Sequence, residues 1–122
     1  MRALAVHHVA LSVADLAEAI SFYTGTLGLT VRADRPSTLP AGAWLDAGGQ
    51  QIHLVPGRPP EACGQHVAIL VDDLDAAIAD VRGAGVEVTD PVPIGTAHQA
   101  FLRDPSGNAI ELHGPRSIST HS

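Results

Sequence analysis

The sequence predicts an α+β fold made of two tandem βαβββ modules. Three observations support this prediction. The chain repeats itself at an offset of 58 residues, since His8 aligns with His66, and each copy opens with a strand-like segment that leads into a helix-like one. Three further strand-like segments follow each helix. A chain of 122 residues accommodates two such modules in a single domain.

The internal repeat is specific. Eight of the thirteen positions from His8 to Ile20 are identical to the residues 58 positions further on. The same offset also aligns a second block much later in each copy, in which Gly49, Ile52 and Leu54 match Gly107, Ile110 and Leu112. Two separated blocks in one register indicate a duplicated structural unit.

Each module has the same order of local signals. In the first, Asp15 stands at an N-cap position after the strand "LAVHHVALSV", and Gly25 and Gly28 end the helix. In the second, Asp73 follows the strand "QHVAILV", and Gly83 and Gly85 end the helix. The strands predicted after the helices are Leu29–Ala33, Ala43–Ala47, Gln51–Val55, Val86–Thr89, His98–Arg103 and Asn108–His113.

These elements set the expected boundaries within one domain, 1–122. Module 1 spans residues 1–56 and module 2 spans residues 65–114. A Pro-rich linker at 57–64 joins them, and a polar tail occupies 115–122. One helix covers only one face of a four-stranded sheet, so the other face of each module must pack against the sibling module or a second subunit, and we expect a homodimer.

Composition excludes several classes of function. The chain has 7 Lys and Arg against 13 Asp and Glu, a formal net charge of −6, and no basic cluster, so we expect no nucleic-acid partner. No apolar run approaches the roughly 20 residues of a membrane-spanning helix. The first residues, "MRALAVHH", do not resemble a signal peptide, and Cys63 is the single cysteine. A cytoplasmic location is therefore expected.

Four residues with ligand-type side chains occupy equivalent positions in the two modules. His8 and His53 lie in the first and last strands of module 1, and His66 and Glu111 do so in module 2. Each pair is separated by 45 residues, because 53 − 8 and 111 − 66 are equal. We expect curved mixed sheets to enclose a cleft in which the four side chains meet; the alternative is that each histidine is an ordinary buried or surface residue.

This donor set suits one divalent metal ion. Neutral imidazole nitrogens and a carboxylate bind Zn²⁺, Ni²⁺, Co²⁺, Mn²⁺ or Fe²⁺. Four protein ligands leave positions open on a five- or six-coordinate ion. A substrate with two neighbouring oxygens could then chelate the metal, which polarises a carbonyl and acidifies an adjacent C–H.

The chain resembles the vicinal oxygen chelate superfamily, the glyoxalase/bleomycin resistance/extradiol dioxygenase fold. The segments that carry the resemblance are "HVALSVADLAEAISFYTGTLGL", "GQQIHLV", "QHVAILVDDLDAAIADVRGAGVEV" and "AFLRDPSGNAIEL", which span most of the chain. The resemblance implies paired βαβββ modules, placed together within one chain or between two. It also implies a metal held at the positions of His8, His53, His66 and Glu111.

No subfamily matches at every position. Glyoxalases usually carry Glu or Gln where this chain has His53. Glutathione-dependent glyoxalase I has Arg and Asn where this chain has Ser12 and Gly57, and fosfomycin thiol transferases have Thr in place of Ala10. Bleomycin-binding relatives usually lose the metal ligands, and extradiol dioxygenases are usually longer chains.

The resemblance also suggests roles for individual residues. Glu111 is the candidate catalytic base, or else a permanent ligand. His113 lies on the same side of the strand as Glu111 and could line the pocket as a partner of Glu111 or as a proton shuttle. Alternatively, it marks the end of the strand. Trp44, Phe101 and His98 are further candidates to line the pocket, with core or solvent positions as alternatives.

Strand geometry and charge lead to predictions for three other residues. Strand alternation predicts that His7 faces away from the metal. Arg32 and Arg35 lie where an anionic substrate could be held, or else are surface charges.

The function expected is a metal-dependent lyase or isomerase of the glyoxalase I type that acts on a small vicinal-dioxygen substrate. Two alternatives remain open. One is a protein that binds or confers resistance to a small molecule such as bleomycin or fosfomycin, and the other is an Fe(II) extradiol-type dioxygenase.

Overall fold

The computed structural model describes residues 1–59, 61 and 64–118. Cys63 and the second half of the predicted polar tail, residues 119–122, lie outside the described residues. Two compact units are present. The first unit comprises Met1–Cys63 with Pro105–Asn108, and the second comprises Gly64–Asp104 with the residues from Ala109 onwards. Each unit contains one four-stranded mixed sheet and one helix, so the predicted α+β fold with a duplicated βαβββ order is confirmed.

The first unit contains strands β1 to β4 and helix α1. Its elements are β1 (His8–Val13), α1 (Leu16–Ser21), β2 (Thr30–Val31), β3 (Ala43–Ala47) and β4 (Gln50–Pro56). The sheet order is β1-β4-β3-β2. Strands β1 and β4 are parallel and the other pairs are antiparallel, so the first and last strands of the unit are neighbours.

Helix α1 begins where the sequence predicts. The Asp15 side chain accepts a hydrogen bond of 3.0 Å from the backbone N–H of Glu18, which confirms the N-cap. The helix continues as a π-helical turn over Phe22–Thr26, and the chain then turns at Gly28, whose φ is +74°.

The second unit repeats this order with a longer helix. Its elements are β5 (His66–Leu70), α2 (Leu74–Gly83), β6 (Val92–Ile94), β7 (Ala97–Arg103) and β8 (Ala109–Gly114). The sheet order is β5-β8-β7-β6, with β5 and β8 parallel. Asp73 caps α2 by accepting a hydrogen bond from the N–H of Ala76.

One strand prediction in this unit is wrong. The segment Val86–Thr89 forms a single bridge, from Val88 to Leu102, and the edge strand is instead β6. At Thr89 the side-chain hydroxyl accepts a hydrogen bond from the N–H of Phe101, which replaces a backbone acceptor and interrupts regular pairing. Pro93 is tolerated in β6 because an edge strand leaves one side of its backbone unpaired.

Each unit buries the alternating apolar side chains on one face of its sheet. Alternate positions of β3 and β4 are buried in the first unit and alternate positions of β7 in the second, whereas Ile110, Glu111 and Leu112 of β8 are all buried. The buried apolar strand residues are Val13, Ala43, Leu45, Ile52, Leu54, Ala100, Leu102, Ile110 and Leu112. This alternation leaves His53, Trp44 and Phe101 on the other face of their sheets.

The described residues include no helix that is long and apolar enough to span a membrane.

Candidate functional site

In the second unit, Glu111 lies beside His66. The two residues are on the parallel neighbours β8 and β5, and Oε1 of Glu111 is 3.2 Å from Nε2 of His66. Glu111 is only 7% exposed, so its carboxylate is a buried polar group that needs partners. The second oxygen, Oε2, is 2.8 Å from Nδ1 of His113, two residues along the same strand.

The backbone fixes the orientation of the His66 ring. Nδ1 of His66 donates to the carbonyl oxygen of Gly64 at 2.9 Å, since a carbonyl can only accept. In the neutral ring, Nε2 then carries a lone pair that points at a carboxylate oxygen. Two lone pairs in this position require a proton on Nε2 or a cation bound to both atoms.

The distance between these two atoms suits a shared metal ion. Ligand atoms at about 2.1 Å from an ion, on adjacent vertices of a tetrahedron or octahedron, are about 3.0–3.4 Å apart. The 3.2 Å between Nε2 of His66 and Oε1 of Glu111 falls in this range. The distance between this pair is therefore compatible with a shared divalent ion.

In the first unit, three rings form a stack. The rings of His8 and His53 are 3.9 Å apart at an interplanar angle of 9°, and the Trp44 ring stacks on His53 at 4.8 Å. Nε2 of His53 is also 2.8 Å from Oε1 of Gln51. The sheet thus brings His8 and His53 together, as their spacing predicts, and adds Trp44 and Gln51 to them.

The His7 ring contacts the ring of His8, although strand alternation predicts that His7 faces away from the metal. Nδ1 of His7 lies 2.9 Å from Nδ1 of His8. The reason is that β1 begins at His8, so His7 is outside the strand and strict alternation does not apply to it.

The electrostatic environment favours a neutral His53. Burial lowers the pKa of His53, and electrostatic interactions with His8, His7, Arg35 and Arg32 lower it further. A neutral imidazole is the form that binds a metal.

The stacked pair does not fit a shared ion in its present rotamers. A metal lies in the plane of each imidazole that binds it, and two nearly parallel rings 3.9 Å apart have no common in-plane point. Joint binding by His8 and His53 requires one ring to turn, and for His53 this breaks the contact with Gln51. Accordingly, no three His, Cys, Asp or Glu side chains in the described part of the chain form a group that could hold a metal.

The aromatic residues occupy equivalent places in the two units. Trp44 of β3 pairs with His53 of β4, and Phe101 of β7 pairs with Glu111 of β8. The Phe101 ring meets the His66 ring edge-on at 5.5 Å. Each third-strand aromatic residue therefore contacts a candidate ligand.

His98 is the one predicted pocket residue that the structure does not place beside a candidate metal ligand. On β7 its side chain is on the same face of the sheet as those of the buried residues Ala100 and Leu102. The side chain of Phe101 is on the opposite face. Gln99 occupies the position opposite His113 instead.

Sequence reasoning did not anticipate the roles of Gln51 and Gly64. Gln51 stands two residues before His53 on the same strand, and this spacing is the signal that could have identified it. The contribution of Gly64 comes from its carbonyl group, which no residue type reveals.

A comparison with protein families identifies the fold family. Residues 5–112 match the model of the Glyoxalase/Bleomycin resistance protein/Dioxygenase superfamily. The chain belongs to this superfamily. The family resemblance seen in the sequence is thereby confirmed over most of the chain.

Relatives within the superfamily carry different descriptions. The uncharacterised protein YaeR of Escherichia coli K12 is 34% identical over 88% of this chain and 94% of its own length. A Vibrio parahaemolyticus protein named "Probable lactoylglutathione lyase" is 35% identical over 86% of each chain. The structure of TnmS3, an antibiotic binding protein from Streptomyces sp. CB03234, superposes with a TM-score of 0.80 at 28% identity, covering 94% of this chain and 98% of TnmS3.

Proposed function

We propose that this superfamily member is a divalent-metal-dependent lyase or isomerase of the glyoxalase type that acts on a small vicinal-dioxygen substrate. The observation that carries the proposal is the buried Glu111, with one oxygen 3.2 Å from Nε2 of His66 and the other 2.8 Å from Nδ1 of His113. The similarity to a protein named as a lactoylglutathione lyase supports the same reaction type.

The proposed ligands of the divalent ion are His66 and Glu111 of the second unit, with His8 and His53 as the equivalent pair of the first. A bound divalent ion would polarise a carbonyl of the substrate and acidify the neighbouring C–H. Glu111 would accept that proton, because it is the only carboxylate among the four ligands. His113 would orient the Glu111 carboxylate through the hydrogen bond to Oε2.

Glutathione is not the thiol we expect in the substrate. Gly57 and Ser12, which replace the Asn and Arg of glutathione-dependent glyoxalase I, are neighbours in the first unit, and a Cβ at Gly57 would lie 3.9 Å from Oγ of Ser12. Neither residue carries a charge that could bind the carboxylates of glutathione.

Metal analysis tests the proposal. Purified protein should retain about one equivalent of divalent metal per chain after dialysis, while the H66A and E111Q variants should retain much less. H98Q is a matched control, because the His98 side chain makes no hydrogen bond or ion pair within the described residues. Full metal retention by H66A and E111Q, or none by the wild type, would contradict the proposal.

The second candidate function is binding of a small natural product without chemistry. The similarity to TnmS3 and the half-buried Trp44, stacked on His53, favour it. This function would need no metal, so an unchanged affinity for a stacked aromatic ligand after metal removal would support it over the enzyme. The cytoplasmic location and the homodimer remain predictions.

A further inference from the structure

We propose that Arg35 binds an anionic group of the substrate, so that the substrate is a vicinal-dioxygen compound that also carries a carboxylate. This inference rests on the proposed function, because it assigns a substrate class to the same site. It depends only on residues of the first unit.

Arg35 lies close to the strands that carry the stacked rings. A Cβ added to Gly42 would be 2.7 Å from Nη2 of Arg35, so the guanidinium lies directly over Gly42. The same Cβ would be 2.9 Å from the carbonyl oxygen of Leu54, the residue that follows His53 in β4. The absence of a side chain at Gly42 leaves room for the Arg35 side chain close to the part of β4 that carries His53.

The charge of Arg35 is not neutralised within the described residues. Arg32, Arg82 and Arg116 each form ion pairs with aspartates, and Arg32 has two. Arg35 has no such partner, and its hydrogen bond is a 2.6 Å donation from Nη2 to the carbonyl oxygen of Pro40. Its Nε is buried and has no partner.

A half-buried guanidinium with unused donors is costly unless something binds it. Nη1 has no hydrogen-bond partner in the described chain and is not among its buried unsatisfied atoms, so it can reach a ligand. A carboxylate matches guanidinium donors in charge and geometry.

The chemistry of this face defines the ligand. Flat rings at Trp44 and His53 favour a planar group, and the cation of Arg35 nearby favours a negative charge on that group. A planar carboxylate with two neighbouring oxygens satisfies both features.

Two probes of nearly the same shape, one anionic and one neutral, test the inference. 3,4-Dihydroxybenzoate and 3,4-dihydroxybenzamide have the same vicinal oxygens and the same ring. In isothermal titration calorimetry with Zn²⁺-loaded protein, wild type should bind the acid about tenfold more tightly than the amide. R35Q, which keeps a donor for Pro40 but has no charge, should bind the two probes within about twofold of each other.

Two further variants distinguish the effect of the Arg35 charge from an effect of R35Q on the structure of its loop. R35K should recover part of the preference for the acid, because it restores the positive charge. R58Q is the matched control and should keep the full preference, since Arg58 is an exposed arginine that also lacks an ion pair in the described chain.

Equal binding of the acid and the amide by wild type, no binding of either, or an unchanged preference in R35Q would overturn the inference. Repeating the titrations in EDTA separates it from the proposed function. A preference for the acid that disappears in R35Q but is insensitive to EDTA would contradict the metal site and support Arg35 as the anion-binding residue.

Discussion

At the residue scale, the Glu111 carboxylate is fixed at both oxygens by histidines from different strands. His66 approaches from β5 and His113 from the same strand as Glu111. A buried carboxylate with two defined partners cannot rotate without losing one of them. We infer that its direction is set by the fold before any ligand binds.

Replacing His113 by Ala should destabilise the protein by roughly 1–2 kcal/mol, because it leaves one oxygen of a buried carboxylate without its partner. The value should be near the lower end, since the His113 side chain is 36% exposed and water can replace part of the bond. Urea unfolding measures the change. H98Q should be nearly neutral, and a loss in H98Q equal to that in H113A would contradict this explanation.

The sequence predicted which ligand-type residues would be neighbours but not how their rings would lie. Equal spacing of 45 residues, with the βαβββ order, implies that His8 meets His53 and His66 meets Glu111 across parallel strands. The stacking on Trp44 and the bond to Gln51 depend on side-chain rotamers, which pattern and spacing do not determine.

At the element scale, the local signals for helices were more informative than those for edge strands. Asp15 and Asp73 predicted both helix starts because an N-cap acts on its own first turn. Strand β6 was missed because two prolines in "DPVPIG" read as a turn, and only the neighbour β7 makes this segment a strand. Pairing with a distant segment is not encoded locally.

The N-cap residue of α2, Asp73, should be affected by removal of the Ser117 hydroxyl. The hydroxyl of Ser117 donates to Oδ1 of Asp73 at 2.7 Å, and this bond, followed by that from the N–H of Ala76, lowers the pKa of Asp73. S117A should therefore raise this pKa toward its ordinary value of 3.8, as measured by NMR titration of the side-chain carboxyl carbon. An unchanged pKa in S117A would contradict the role of the hydroxyl.

The lowered pKa of Asp73 makes the stability of the protein depend on pH. Because the pKa of Asp73 is lower in the folded chain, its contribution to stability is complete above the unfolded pKa and is lost as the pH falls through the folded one. S117A should reduce this contribution, so the gap in stability between wild type and variant should close in strong acid. S37A, at an exposed serine in the other unit, serves as the control.

The end of β8 depends on a glycine. A Cβ at Gly114 would overlap the carbonyl oxygen of Val71, whose N–H donates to the carbonyl oxygen of His113 at 2.9 Å. G114A should destabilise the protein by about 1–3 kcal/mol, because the backbone must move. G83A is the matched control: its Cβ would meet nothing within 4 Å, and it should stabilise α2 by up to about 1 kcal/mol. Equal stability of the two variants in urea unfolding would contradict this account.

At the scale of the whole molecule, several apolar strand residues are exposed in the single chain. Val9, Val55 and Leu70 lie in β1, β4 and β5, and Leu70 is 79% exposed. Apolar side chains in strands favour association with another surface. This exposure agrees with the homodimer predicted from the sequence.

Sedimentation equilibrium should give twice the mass of one chain at micromolar concentration. L70K should shift the equilibrium toward the single chain, because a buried interface would have to accept an unpaired charge. L4K, at a residue that is 82% exposed and outside the strands, should have no effect. A wild-type protein that sediments with the mass of one chain would contradict the dimer.

Trp44, which is the single tryptophan of the chain, lies against His53. The protein therefore contains its own optical reporter. Indole emission is sensitive to an adjacent imidazole, so turning the His53 ring, binding a metal to it or placing a ligand over it should change the fluorescence without any attached dye. Events at one candidate ligand can thus be followed in real time in the unmodified protein.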